Sequence, residues 1–259
     1  MVIFRSPSCA SSWKTNFSTT FEITSGERLA NGITASRRFL NSGVNSLMMA
    51  SSSSPSRFDR LKPIAALARS DAPAFVVNRL LTRFMGEVMA AYDEGTPFEV
   101  ANAAVDPMGL PMSPFVLVQM VGPAVAFHTG ETLHQAFPDR FGVSENQRRM
   151  VEAGKTTLLA WEGATPSIAP DVAELFTVGS SPSTADEVRQ RALDAVADEA
   201  RRMLDEGVVA APQDIDLCMI LGAGWPFHLG GITPYLDRAG VSDRVNGKRF
   251  LPAGVASLP

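Results

Sequence analysis

Cysteine, histidine and tyrosine are scarce in this chain: two Cys, three His and two Tyr among 259 residues. Cys9 and Cys218 give neither metal-ligand spacing nor a disulfide framework, and they suit a reducing compartment. His128 and His134 lie on one predicted helix but face different sides of it at about 100° per residue, so they miss the i, i+4 spacing of a helical metal site. His228 sits in a Gly/aromatic turn, and no acid is placed to orient any of the three as a base. No metal site is therefore expected. Long apolar runs are also missing, and none approaches the roughly 20 residues of a membrane span. What is plentiful is core material. Hydrophobic residues make up 45% of the chain and charged residues 19%, a balance that buries a core. Leu, Ala, Met and Val dominate over the few aromatics of tyrosine and tryptophan type, which favours helices.

Acidic residues are what the first 69 positions lack. They hold nine Lys/Arg against three Asp/Glu, while the remainder holds 14 against 24. An acidic body argues against nucleic acid as a partner. The basic stretch 1–69 is Ser-rich, with Ser51, Ser52, Ser53 and Ser54 as its extreme. Its composition is that of an organelle transit peptide, or else of a disordered tail, a misassigned start or a fusion. The expected location is cytoplasmic, or mitochondrial or another organelle if 1–69 is a transit peptide.

From Ala72 onward helical spacing takes over. Val77, Leu80, Leu81, Phe84, Val88 and Ala91 predict a long helix that stops at Asp93-Glu94-Gly95, where Gly95 caps it. A short helix to about Val105 follows, then the turn Gly109-Leu110-Pro111, an apolar helix over 115–120, and a break at Gly122-Pro123. Pro123 opens another helix that ends before Pro138. The same plan returns after Pro182. Thr184-Ala185-Asp186-Glu187 has the form of a capping box, and Val188, Ala192, Val196, Ala200 and Met203 form a helical stripe. That helix stops at Asp205-Glu206-Gly207. Pro212 opens a short helix, Gly224-Trp225-Pro226 turns the chain, and Ile232 to Leu236 reads apolar before Ala239-Gly240. Asp93-Glu94-Gly95 aligns with Asp205-Glu206-Gly207, an ordered self-similarity of the kind a duplicated helical unit leaves. Neither half carries a strand pattern.

Few motifs carry chemistry. Leu221-Gly222-Ala223-Gly224 has the start of a dinucleotide fingerprint, but Phe227 stands at its sixth position and no strand precedes it, so it reads as a turn. Asp214 and Asp216 read as residues favoured by a helix dipole, and Arg148-Arg149 and Arg201-Arg202 as solvated faces. Asn78 is the polar residue of interest. An unpaired buried amide costs about 1–3 kcal/mol, so Asn78 is either bonded to a neighbouring backbone or aimed outside its own segment.

The run 73–81 (PAFVVNRLL), the stretch 108–121 (MGLPMSPFVLVQMV) and the stretch 214–240 (DIDLCMILGAGWPFHLGGITPYLDRAG) together resemble the C-terminal helical region of 3-hydroxyacyl-CoA dehydrogenases. The resemblance is greatest to the multifunctional fatty-acid β-oxidation α subunit, which carries that module twice. It covers about residues 70–259. It implies an all-α fold of two tandem modules, 70–163 and 164–259, behind a disordered or presequence-like segment 1–69. It also implies NAD-dependent oxidation of a 3-hydroxyacyl-CoA to the 3-oxoacyl-CoA, an acyl-CoA substrate, and a homo-oligomer or complex with β-oxidation subunits. The family's active-site asparagine falls on Asn78, with the role of bonding the catalytic histidine or the substrate oxygen. NAD would be bound by a Rossmann domain that nothing upstream of Ala72 resembles. The chain by itself is therefore expected neither to bind NAD nor to turn over substrate. The alternative is a non-catalytic dimerisation or docking module left by truncation or gene splitting. Two departures stand out: Ser113-Pro114-Phe115 replaces the usual Gly-Pro-Phe, and Gln119 stands where an Asp usually follows.

Overall fold

The computed structural model describes residues 73–255. The expectations for 1–69 lie outside the described residues. The described residues all belong to one compact unit, Arg60–Pro259, and its frame is a pair of long helices. Helix α1, Phe75–Glu94, buries Val76, Leu80, Phe84, Val88 and Ala91, residues three or four apart that share one face. Further along the chain, α7, Ala185–Asp205, buries Val188, Ala192, Val196, Ala200 and Met203 in the same pattern. The two stripes meet in a single core. Arg79 near the start of α1 pairs with Glu206 beyond the end of α7, and Arg191 near the start of α7 pairs with Glu94 at the end of α1. The helices are therefore antiparallel.

Shorter elements cover this pair. After α1 come α2, Phe98–Ala103, a 3-10 turn at Asp106–Met108, α3, Pro114–Val121, α4, Pro123–Ala136, and α5, Glu145–Glu152. After α7 come α8, Pro212–Ala223, a 3-10 turn at Phe227–Leu229, α9, Ile232–Arg238, and α10, Val241–Asn246. The stops fall where sequence places them. Gly109, Gly207 and Gly224 all take left-handed φ, 66°, 68° and 67°, the conformation that glycine tolerates at helix ends. At Gly95 the reason is proximity as well. An added Cβ would lie 2.6 Å from the Gly179 carbonyl oxygen, because Gly179 and Ser181 donate to the last carbonyls of α1, Asp93 and Glu94, at 2.8 Å each. The capping box at Thr184 and Glu187 is formed in full.

The expectation of an all-α chain needs one correction. Leu159–Glu162 (β1) and Thr165–Ile168 (β2) form an antiparallel hairpin, preceding a helical turn at Pro170–Ala173 (α6). The hairpin turns at Gly163 and Ala164, so the division expected between 163 and 164 falls inside the turn and the two strands pair across it. Gln119 anchors its base. The Gln119 Oε1 accepts from Leu158 N at 2.6 Å and Leu159 N at 3.0 Å, so this side chain docks α3 onto the strand. Gln119→Ala leaves two N–H groups of buried residues unsatisfied, and a loss of about 1–3 kcal/mol in chemical denaturation is expected. Gln119→Glu keeps the acceptor and should recover most of that loss.

A second correction concerns Asp216. It is not a dipole residue at the surface but 7% exposed, accepting from Thr233 N at 2.8 Å and Thr233 Oγ1 at 2.7 Å. It ties α8 to the uncapped start of α9. Asp214, by contrast, does serve the start of α8, accepting from Ala210 N and Ala211 N. The arginine pairs are also more than solvated faces. Arg201 stacks over Phe250 with its Cζ 4.6 Å from the ring centre, and Arg149 donates to Leu175 O and Thr177 Oγ1.

Burial pushes the Asp216 carboxyl above its ordinary range, against the bonds from Thr233, and burial does the same to Asp93, against those from Ser144 and Asn146. Between an unfolded value of about 3.9 and the raised folded value, the native state holds more protons than the unfolded state. Stability therefore falls as pH rises through that window. Asp216→Asn keeps an acceptor for Thr233 N and has no charge to bury. The expected result is a flatter dependence of the urea midpoint on pH as pH rises above the ordinary carboxylate range.

Candidate functional site

Asn78 lies in the first turns of α1, half-buried. Among the described residues its side chain makes no hydrogen bond. Its two neighbours are held firmly. Val77 touches Gly222 of α8 so closely that a Cβ on Gly222 would lie 2.8 Å from Val77 Cγ2. This is why a glycine sits inside α8 as well as at its cap. Arg79 is fully buried. Its Nε donates to Glu199, its Nη2 donates to Glu206 Oε2 at 2.7 Å, and its Cζ lies 4.5 Å from the centre of the Phe137 ring. Arg140 closes the cluster, donating to Glu206 Oε1 at 2.6 Å and stacking on the same ring at 4.8 Å. Although burial pushes the Glu206 carboxyl up, the bonds from Arg79 and Arg140 hold it below its ordinary value.

Among the described residues, no side chain caps the start of α1. Its N-cap, Ala74, offers no side-chain acceptor and has a left-handed φ of 60°, followed by Phe75 at 50°, and no acid sits in the first turn. Such a start normally has about four unsatisfied N–H groups and frays. Its orientation instead comes from tertiary contacts: Ala74 packs with Leu133 and Phe141, Val76 and Leu80 lie in the core, Val77 meets Gly222 and Arg79 meets Glu199. Periodicity does not reveal that Arg79 is the anchor, because a charged residue on a helix reads as solvated. Leu221, the residue before Gly222, is 60% exposed, and Phe227, in the turn that follows α8, is 79% exposed.

The glycines of 221–224 do not fit a dinucleotide phosphate. They close the C-terminal end of α8, with Gly224 as its left-handed cap. The free groups there are carbonyls and the dipole end is negative, whereas a phosphate needs the N–H groups of an N-terminus. Among the described residues the only strands are β1 and β2, and no group of three His, Cys, Asp or Glu is arranged to hold a metal. His128 meets Glu131 at the surface and His134 meets the Phe141 carbonyl. Cys218 is buried, and burial pushes its thiol up to about 11, which makes it inert as a nucleophile. Among the described residues no helix is long and apolar enough to cross a membrane.

Residues 75–164 match the family model described as 3-hydroxyacyl-CoA dehydrogenase, C-terminal domain. The chain is similar to the fatty acid oxidation complex subunit alpha of Acinetobacter baylyi, 29% identical over an alignment of 197 residues that covers 68% of this chain and 27% of that protein. It is also similar to the subunit of the same name from Shewanella amazonensis, 28% identical over an alignment of 217 residues that covers 76% of this chain and 31% of that protein. The chain thus spans less than a third of the length of these relatives. Among solved structures it shares its fold with 3-hydroxybutyryl-CoA dehydrogenase from Escherichia coli K12, with a TM-score of 0.50 and 19% identity over 71% of this chain and 59% of that one. Over residues 75–164 the chain is thus similar to the C-terminal domain of 3-hydroxyacyl-CoA dehydrogenases, and its helical part as a whole is similar to part of the fatty acid oxidation complex subunit alpha.

Proposed function

We propose that this chain supplies the helical half of a 3-hydroxyacyl-CoA dehydrogenase active site, with Asn78 as the residue it contributes. The single observation that carries this reading is a half-buried amide without a partner among the described residues, standing between Val77, which is pressed on Gly222, and the buried Arg79. Such an arrangement is half of a contact. The reaction would be oxidation of a 3-hydroxyacyl-CoA, with NAD as the hydride acceptor. Asn78 would bond the catalytic histidine or the substrate oxygen and fix the geometry for transfer. The dinucleotide would be held by residues outside 73–255, on this polypeptide or another. Association with other β-oxidation subunits and a cytoplasmic location belong to the same proposal.

The helical region is further proposed to be two tandem modules, about 70–163 and 164–259. Reciprocity of the ion pairs supports this. The alignment of Asp93 with Asp205 also aligns Arg79 with Arg191, Glu87 with Glu199 and Glu94 with Glu206. Arg79 pairs with Glu199 and Glu206, while Arg191 pairs with Glu87 and Glu94. Residue i meets j and the counterpart of j meets the counterpart of i, as across an isologous two-fold. The buried stripes of α1 and α7 correspond position by position under the same alignment. The short helix of each half is also tied to the start of the next apolar helix by a polar side chain, Ser113 donating to Asn102 in the first and Thr233 donating to Asp216 in the second.

Titration of the purified chain with NADH, followed by the fluorescence of the nicotinamide, tests the division of labour. No saturable binding is expected. Tight binding would place the dinucleotide site on this chain alone and remove the proposal.

A further inference from the structure

The two reciprocal clamps are equal in connectivity and unequal in surroundings. Around Arg79 the clamp is closed at its centre: Arg79 and Glu199 are 0% exposed, Glu206 is 33% exposed, and Phe137 and Arg140, just past α4, lie against them. Around Arg191 it is open. Arg191, Glu87 and Glu94 are 33%, 21% and 45% exposed, and an open groove of about 330 Å³ runs beside them, lined by Arg83, Asp194 and Asp198 among others. The residues preceding the two arginines differ likewise. Asn78 has no partner among the described residues, whereas its counterpart Gln190 is exposed and spends its amide on Asp194 at 2.7 Å. Val77 is pressed on Gly222, whereas its counterpart Arg189 reaches across to the Ala104 carbonyl at 3.1 Å.

We infer that Glu199 and Gly222, both in the second half of the chain, are positioning residues for Asn78 in the first half. Glu199 acts through Arg79 and Gly222 acts through Val77. The Arg191 clamp holds the helices together without serving a site. The inference rests on the reading of Asn78 as the site residue. Its physical basis is preorganisation. Asn78 stands in a helix start that no side chain caps among the described residues, so the direction of its amide depends on tertiary contacts, and those of its two immediate neighbours run to Gly222 and Glu199. A burial of charge at Arg79 and Glu199 is costly in itself, and in fixing the first turn of α1 it has a use that its exposed counterpart lacks. The second half therefore contributes to the site without carrying a reacting group. Its own Gln190 position is spent at the surface.

The mirror clamp supplies the control. In isotope-labelled full-length chain, the side-chain amide pair of Asn78 is identified by its absence in Asn78→Ala. Glu199→Gln is expected to move that pair and to raise hydrogen exchange of the backbone amides at 79–82 about tenfold, since local opening then needs no break of the clamp. Glu87→Gln, the same change at the mirrored position, should leave both unchanged. If Glu199→Gln does not fold, Gly222→Ala gives the same reading, its Cβ driving Val77 away. Unmoved Asn78 resonances in a folded Glu199→Gln or Gly222→Ala variant would overturn the inference, as would equal movement in Glu87→Gln. The readout needs no activity. Moved resonances in a chain that never supports dehydrogenation would sink the functional reading and leave the positioning intact.

Discussion

Arg79→Ala is expected to destabilise this chain by about 3–5 kcal/mol, because removal of one partner leaves an uncompensated buried charge. Glu199 is fully buried, and Arg79 supplies its hydrogen bond; Arg140 is the next nearest cation, with its Nη1 3.7 Å from Glu199 Oε1. The mirror change gives the scale. Arg191 is one-third exposed, and an ion pair in that setting contributes about 0–1 kcal/mol. Arg191→Ala should therefore cost several times less than Arg79→Ala, although the two arginines have matching partners. A third variant separates charge from packing. Arg79→Met combined with Glu199→Leu removes both charges and keeps apolar volume, and replacements of that kind are often neutral or stabilising by about 1–4 kcal/mol relative to the buried pair. The double variant should regain most of what Arg79→Ala loses. Urea denaturation followed by far-UV circular dichroism reads all three. Equal losses for Arg79→Ala and Arg191→Ala would mean that burial does not distinguish the clamps.

Much of the fold is legible in the sequence because its signals are local. The two long helices follow from apolar spacing, their ends from the Asp-Glu-Gly stops, and the start of α7 from Thr184 and Glu187 three residues on. The hairpin is not legible, for equally local reasons. Its strands are four residues long, Pro166 interrupts β2, and only Leu159 is fully buried in β1, so no alternation accumulates. Asp216 is misread because its partner Thr233 lies on another helix, and propensity sees only its own turn. Helix α10 goes unseen because Ala239-Gly240, a stop for α9, is also the entry to a second short helix. For the candidate site, the family resemblance points to Asn78, but the residues that orient it are distant in the chain. One signal was available: once Asp93 and Asp205 are aligned, an arginine and two glutamates fall in register in both halves. Charges repeated at the same places on two long helices that pack on each other are candidates for reciprocal pairing, not for solvation.

Asn78→Ala is expected to have the largest effect on chemistry. If the amide bonds the substrate oxygen or the catalytic histidine as charge shifts during hydride transfer, its loss should lower kcat by about 10²–10³, the range for removing one preorganised donor. The fold should be unaffected, because Asn78 makes no hydrogen bond among the described residues that alanine would break. The decisive measurement is NADH formation from 3-hydroxybutyryl-CoA when this chain is mixed with a separately produced NAD-binding domain of a similar dehydrogenase. The proposal predicts no NADH from either component alone, activity from the mixture, and a loss of at least about a hundredfold with Asn78→Ala. NADH formation by this chain alone, no activity from the mixture, or a mixture equally active with Asn78→Ala would contradict it.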